Sequence, residues 1–128
     1  VSSSIVFISH FRVKEGKREA FERYFREGTQ QIQAAKPRTL VFLGFTDPDG
    51  TRATIVHVFE DAESMDRHVE GAEERSTAAD KYLEPEGFEL YGSPSDHVRR
   101  MLRGEGGPEG WPNDESVNLG GFLRVATR

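Results

Sequence analysis

The chain has 128 residues, 35% of them hydrophobic and 30% charged, with a formal net charge of -5 at pH 7. That length fits one domain with a modest core, and an acidic balance argues against a nucleic-acid partner, because phosphate binding needs clustered Lys and Arg. With no cysteine there are no disulfides, thiolate nucleophiles or zinc–thiolate sites, a usage that suits a reducing cytoplasm, and no apolar run approaches the roughly 18 residues of a membrane span.

Ile5 to Val13 is β-rich and reads as a first strand, apolar toward its start on both faces and ended by Lys14-Glu15-Gly16. From Lys17 to Lys36 the period changes to helical: Phe21, Tyr24, Phe25, Gly28, Ile32 and Ala35 form one stripe opposite a face of interleaved basic and acidic residues, and Pro37 stops the helix. Leu40 to Thr46 and Thr51 to Glu60 are strands joined as a hairpin by Asp47-Pro48-Asp49-Gly50. Asp61 is a suitable N-cap for a second helix carrying Met65, Val69 and Ala72, with His68 on its flank. Gly71 weakens that helix, and Ser76 is a starting point for a further helical segment with Ala79, Tyr82 and Leu83. Pro85 and Gly87 precede a short fourth strand, Phe88 to Tyr91. Ser93-Pro94-Ser95-Asp96 has a capping-box pattern with Pro at the first helical position, and opens a helix ending at Gly104. A Gly/Pro/acidic loop holding Trp111 follows, then an extended segment from Val117 to Val125.

The order β-α-β-β-α-β predicts an α+β, ferredoxin-like domain with a four-stranded antiparallel sheet over residues 1–93, and a C-terminal helix and tail extension over 94–128. Two helices cover one face of such a sheet, yet strands two and three carry apolar residues on both: Val41, Leu43 and Phe45 against Leu40 and Phe42, and Val56 and Val58 against Ile55 and Phe59. An open apolar face needs a cover, and a homodimer is the simplest; the alternative is the chain's own C-terminal extension.

Phe11-Arg12-Val13-Lys14-Glu15-Gly16-Lys17, the helix start Arg18-Glu19-Ala20-Phe21, and Val58-Phe59-Glu60-Asp61-Ala62-Glu63-Ser64-Met65 with His68 following carry a resemblance. Over about Ile5 to Tyr91 the chain resembles the antibiotic-biosynthesis-monooxygenase-like family of dimeric α/β barrels. The resemblance implies a cavity between sheet and helices, a homodimer, and, in the family's enzymes, oxidation of phenolic molecules by O2 without metal or flavin. Such chemistry requires a base and a closed apolar pocket. Relatives that degrade haem use a tryptophan and a ligating histidine on the second helix; here the one tryptophan is Trp111, in the loop, and no histidine lies between Gly71 and His97.

Histidines are the side chains that titrate near neutrality. His10 and His57 lie mid-strand on neighbouring strands; if both enter the cavity, one is a base and the other orients it, whereas a one-residue slip puts them on opposite faces. Arg12 shares a strand face with His10 and is placed to steady an enolate or carboxylate. His68 and Tyr82 are ligand-lining candidates; His97 should be exposed. His10, His57 and Tyr82 also have a plain packing explanation, Arg12 also reads as a strand-end surface residue, and His68 as a helix-flank histidine in partial contact with solvent. The histidines show no H-x-H or H-x-x-x-H spacing, so no metal is expected, and no cofactor motif is present. The expected function is a cofactor-independent monooxygenase acting on a small aromatic or hydrophobic molecule. The alternatives are a non-catalytic ligand-binding or interaction dimer, or a cyclase or isomerase using the same cavity.

Overall fold

A computed structural model describes residues 3–104, 116–122 and 124. Its elements run β1 (Ile5–Val13), α1 (Arg18–Ala35), β2 (Thr39–Thr46), β3 (Arg52–Phe59), α2 (Ala62–Val69), α3 (Ala72–Ala79), β4 (Leu83–Tyr91) and α4 (Asp96–Gly104). The four strands form one antiparallel sheet in the order β2-β3-β1-β4, so the fold is ferredoxin-like.

Strand pairing fixes which side chains share a face. Phe7 pairs with His57, and His57 with Phe42; Ser9 pairs with Ile55, and Ile55 with Gly44. Because strand side chains alternate, Ile5, Phe7, Ser9 and Phe11 of β1 share a face with Ile55, His57 and Phe59 of β3. All the helices lie on this inner face. At one end Ile5, Phe59, Met65 and Leu90 form a core with Val98 and Leu102 of α4; at the other Val13, Phe21, Ala53 and Leu83 form a second core.

The fourth strand is longer than the sequence suggests, because Pro85 does not end it. β4 is an edge strand, where a missing N–H is tolerated, and its register against β1 shifts between His10 and Phe11, opposite Gly87 and Pro85. The start of α4 also differs: the Ser95 hydroxyl accepts from the Val98 N–H at 3.2 Å, so Ser95 is the cap and Pro94 precedes it. Gly71 does more than weaken a helix. It takes φ +81° and separates α2 from α3, which begins at Ala72. Asp61 caps α2 as its sequence suggests, accepting from the Ser64 N–H at 2.8 Å.

The outer face carries Val6, Ile8, Val41, Leu43, Phe45, Val56 and Val58, in register with one another. Leu43 is 52% and Phe45 57% exposed. The C-terminal helix does not cover them, because Val98 and Leu102 pack into the inner-face core. Residues 116–118 are tied to the sheet end instead: Ser116 Oγ accepts from the Gly92 N–H at 2.7 Å, and Asn118 Nδ2 donates to the Ser4 carbonyl at 3.0 Å. Trp111 lies outside the described residues.

Since Val98 is fully buried against Ile5 and Phe59, α4 should unfold with the sheet. Val98→Ala is expected to lower stability by about 2 kcal/mol while leaving one cooperative urea transition. A separate early transition of the C-terminal helix, or no loss of stability, would contradict this packing.

Candidate functional site

Between the two cores, sheet and helices part to leave a cavity of about 380 Å³. Its floor is the middle of the inner face, with Phe7, Ser9, Ile55 and His57; α1 supplies Tyr24 and Phe25, and α2 and α3 bring His68 and Arg75. The helical stripe of α1 predicted from spacing is thus one cavity wall. Gly44 gives this wall its closeness: a Cβ there would lie 2.5 Å from the Phe25 ring, which stacks on Phe42 at 5.3 Å and 9°.

His57 sits at the centre of an aromatic cluster and is only 8% exposed. Its ring centroid lies 5.2 Å from those of Phe7, Phe42 and His68, with His68 nearly perpendicular at 80°. Nδ1 is 3.0 Å from the Phe7 carbonyl oxygen. A carbonyl only accepts, so Nδ1 carries the hydrogen and donates it, and in the neutral ring Nε2 is left with a bare lone pair. Burial drives the imidazole down to about 4; the Phe7 hydrogen bond opposes this shift and the charge of Arg75 adds to it. At neutral pH His57 is therefore uncharged.

His68 follows the same logic. Its Nδ1 lies 2.8 Å from Thr39 Oγ1, and burial, joined by repulsion from His57, Arg75 and Lys36, pushes it down to about 3. Two neutral imidazoles in contact form a polar spot in an otherwise apolar wall. Tyr24 donates to the Arg75 carbonyl at 3.2 Å, and burial, with Tyr82 nearby, raises its phenol above the usual range.

The structure separates the two histidines the sequence pairs. His10 pairs with Thr54, one residue out of phase with the Phe7–His57 row, and so projects from the outer face. There its Nε2 meets Glu89 Oε2 at 2.8 Å and its Nδ1 meets Thr54 Oγ1 at 3.1 Å. His10 therefore does not orient His57 within the cavity. Arg12 is on that outer face too, largely exposed and 3.8 Å from Glu86, too far round the sheet to steady a ligand beside His57. Tyr82 is one ring removed from the lining, packed on Tyr24 at 5.0 Å. His68 is the partner His57 does have. His97 is exposed, as anticipated. The sequence alone does not mark Tyr24 or Arg75: Tyr24 reads as one more apolar helix position, and Arg75 as one more charge in Glu73-Glu74-Arg75. Among the described residues no group of three His, Asp or Glu side chains is arranged to hold a metal ion, and no helix is long and apolar enough to cross a membrane.

The family model for antibiotic biosynthesis monooxygenase matches residues 4–80, which span both strands and helices of the cavity. No curated protein sequence matches the chain. Among solved structures, MupZ from Pseudomonas fluorescens superposes with a TM-score of 0.72 at 18% identity, covering 94% of this chain and 93% of that one. SnoaB, a cofactor-independent oxygenase from Streptomyces nogalater, superposes with a TM-score of 0.58 at 19% identity, over 73% of this chain and 95% of its own. A conserved protein from Methanosarcina mazei gives 0.59 at 16% identity, over 71% and 93%. At these identities the structural likeness speaks for the fold.

Neutral buried histidines make stability pH-dependent. Unfolding returns each imidazole to its ordinary value near 6.5, so between that and the folded value the unfolded chain binds more protons, and stability falls as pH falls. Asp61 and Glu89, held below their usual range by hydrogen bonds from Ser64 and His10 respectively, add their own loss only at lower pH. Urea titrations from pH 7 down to about 4.5 should therefore show stability falling by on the order of 2 kcal/mol for each of the two histidines, and His57→Gln should roughly halve the slope. A flat wild-type profile across that window would contradict the desolvated, neutral site.

Proposed function

The chain belongs to the antibiotic biosynthesis monooxygenase family, and on that footing we propose that it is a cofactor-independent monooxygenase acting on a small aromatic or hydrophobic molecule. The observation that carries this reading is His57: a neutral imidazole with a bare Nε2, on the wall of a largely apolar cavity. A phenol-activated carbon acid bound there gives up a C–H proton, with Nε2 as acceptor. The resulting carbanion–enolate transfers electrons to O2, a C–O bond forms, and the proton returns to give a hydroperoxide. Loss of water leaves a carbonyl. The electrons of two C–H bonds reduce O2, one oxygen atom stays on carbon and the other leaves as water, so no external reductant is required. The aromatic wall excludes water that would otherwise quench the carbanion, and His68 stands where it can exchange a proton with His57 or the ligand.

The same reading includes a homodimer closed through the outer sheet face. Leu43, Phe45, Ile8 and Val58 form an apolar surface of the sort that monomers rarely leave open, and a two-fold copy offers the same residues in return. His10, with Glu89 and Thr54, then belongs to the interface. Proton abstraction by His57 would serve an isomerase or cyclase equally well, since nothing in the base itself requires oxygen; turnover under anaerobic conditions separates that reading from this one.

Oxygen consumption by chelator-treated protein with a panel of anthrones and dihydroxynaphthalenes is the test. Protein-dependent uptake is expected, and His57→Gln should lower kcat roughly 100-fold or more. No uptake with any substrate, or an unimpaired His57→Gln, would overturn the assignment. In sedimentation velocity the wild type should run at twice the chain mass, and the double variant Leu43→Lys, Phe45→Lys as a monomer. A monomeric wild type would refute the proposed interface.

A further inference from the structure

Arg75 sits half-buried on the cavity lining, and its hydrogen-bond partners are backbone carbonyls. It donates to Glu70 O at 3.0 Å and to His68 O at 2.5 Å, the open carbonyls at the C-terminal end of α2. Two of its five N–H groups are thereby used, and three remain. Carbonyl dipoles do not neutralise a full charge. Arg38 is matched by Asp61, Glu60 and Glu63, Arg18 by Glu22 and Arg12 by Glu86, yet among the described residues Arg75 forms no ion pair with any carboxylate. Glu74, its chain neighbour, acts on it only at longer range, and burial disfavours its charge.

Arg75 is also the one guanidinium or ammonium group on the described cavity lining. The two lining carboxylates, Glu27 and Asp80, are exposed to solvent and screened by it. An unneutralised cation facing an apolar cavity is unfavourable unless something pairs with it, and a planar guanidinium fork matches the two oxygens of a carboxylate. Resting on the reading of the cavity as an aromatic pocket, we propose that its ligand is an aromatic carboxylate, held by Arg75 while the ring system lies against Phe25, Phe42 and His57. Bound there, the carboxylate offsets the repulsion that Arg75 exerts on a protonated His57. Ligand binding then readies Nε2 to take a proton, so Arg75 selects the ligand and tunes the base.

Two bicyclic probes of the same shape, 2-naphthoate and 2-naphthamide, differ in charge and test the claim by isothermal titration at pH 7.5. Naphthoate should bind the wild type at least about tenfold tighter than naphthamide. In Arg75→Gln the ratio should collapse to about one, with naphthamide affinity kept within roughly twofold. Equal affinities in the wild type, or an unchanged ratio in Arg75→Gln, would overturn the proposal while leaving the aromatic pocket standing. Failure of both probes to bind would overturn it together with that pocket. Because Arg75 also closes the end of α2, a wild-type measurement stands beside the variant: saturating naphthoate, and not naphthamide, should shift the Arg75 Nε–H signal in a 15N correlation spectrum. An unmoved signal would equally count as refutation.

Discussion

The pairing of Phe7 with His57 and of His57 with Phe42 is the constraint on which the site depends. Side chains on a strand alternate, so this one register decides that His57 faces the helices and His10 faces away. It also brings the Phe7 carbonyl to His57 Nδ1, which selects the tautomer and leaves Nε2 bare. A slip of β3 by one residue would turn His57 and Phe59 onto the outer face that His10 already occupies and bring Val56 and Val58 under the helices. The register is held by what it buries: Phe59 is fully enclosed opposite an equally enclosed Ile5, and the alternative pairing would expose it.

Around this frame the electrostatics follow from desolvation. Aromatic rings on several sides remove water from His57 and His68, and neither neighbour is an acid that would restore the charged form. The result is two proton-accepting groups that stay neutral, a state suited to proton abstraction and unsuited to holding an anion. Charge selection falls instead to Arg75, which cannot lose its proton at any working pH. On the proposed reading the cavity divides its labour: imidazoles for the proton, guanidinium for ligand charge, and rings of α1 and the sheet for shape.

Much of the fold was legible in the sequence because its signals are local. Pro37 stops α1, Asp47 to Gly50 turns the hairpin, Asp61 caps α2, and the stripe of Phe21, Phe25 and Ile32 marks the buried side of α1. His57 and His68 could be named because titratable groups stand out in apolar segments. Their relation could not be read, since register is a tertiary property: His10 and His57 looked like partners and lie on opposite faces. Pro85 misled for a related reason, as its meaning depends on β4 being an edge strand, which only the sheet order reveals. Arg12 and Arg75 show the same limit in reverse. In sequence Arg12 is the more conspicuous, standing on an apolar strand, yet the sheet turns it outward and α3 carries Arg75 in.

The proposed role of His57 as a base rests on a neutral imidazole whose Nε2 is free because Nδ1 is committed to the Phe7 carbonyl. Long-range 1H–15N correlation spectra of the histidine rings report tautomer and charge directly. At pH 6.5 His57 should be in the neutral Nδ1–H form, with no conversion to imidazolium until the pH approaches the depressed value of about 4. A neutral Nε2–H tautomer, or a His57 that titrates near its ordinary value of 6.5, would contradict it.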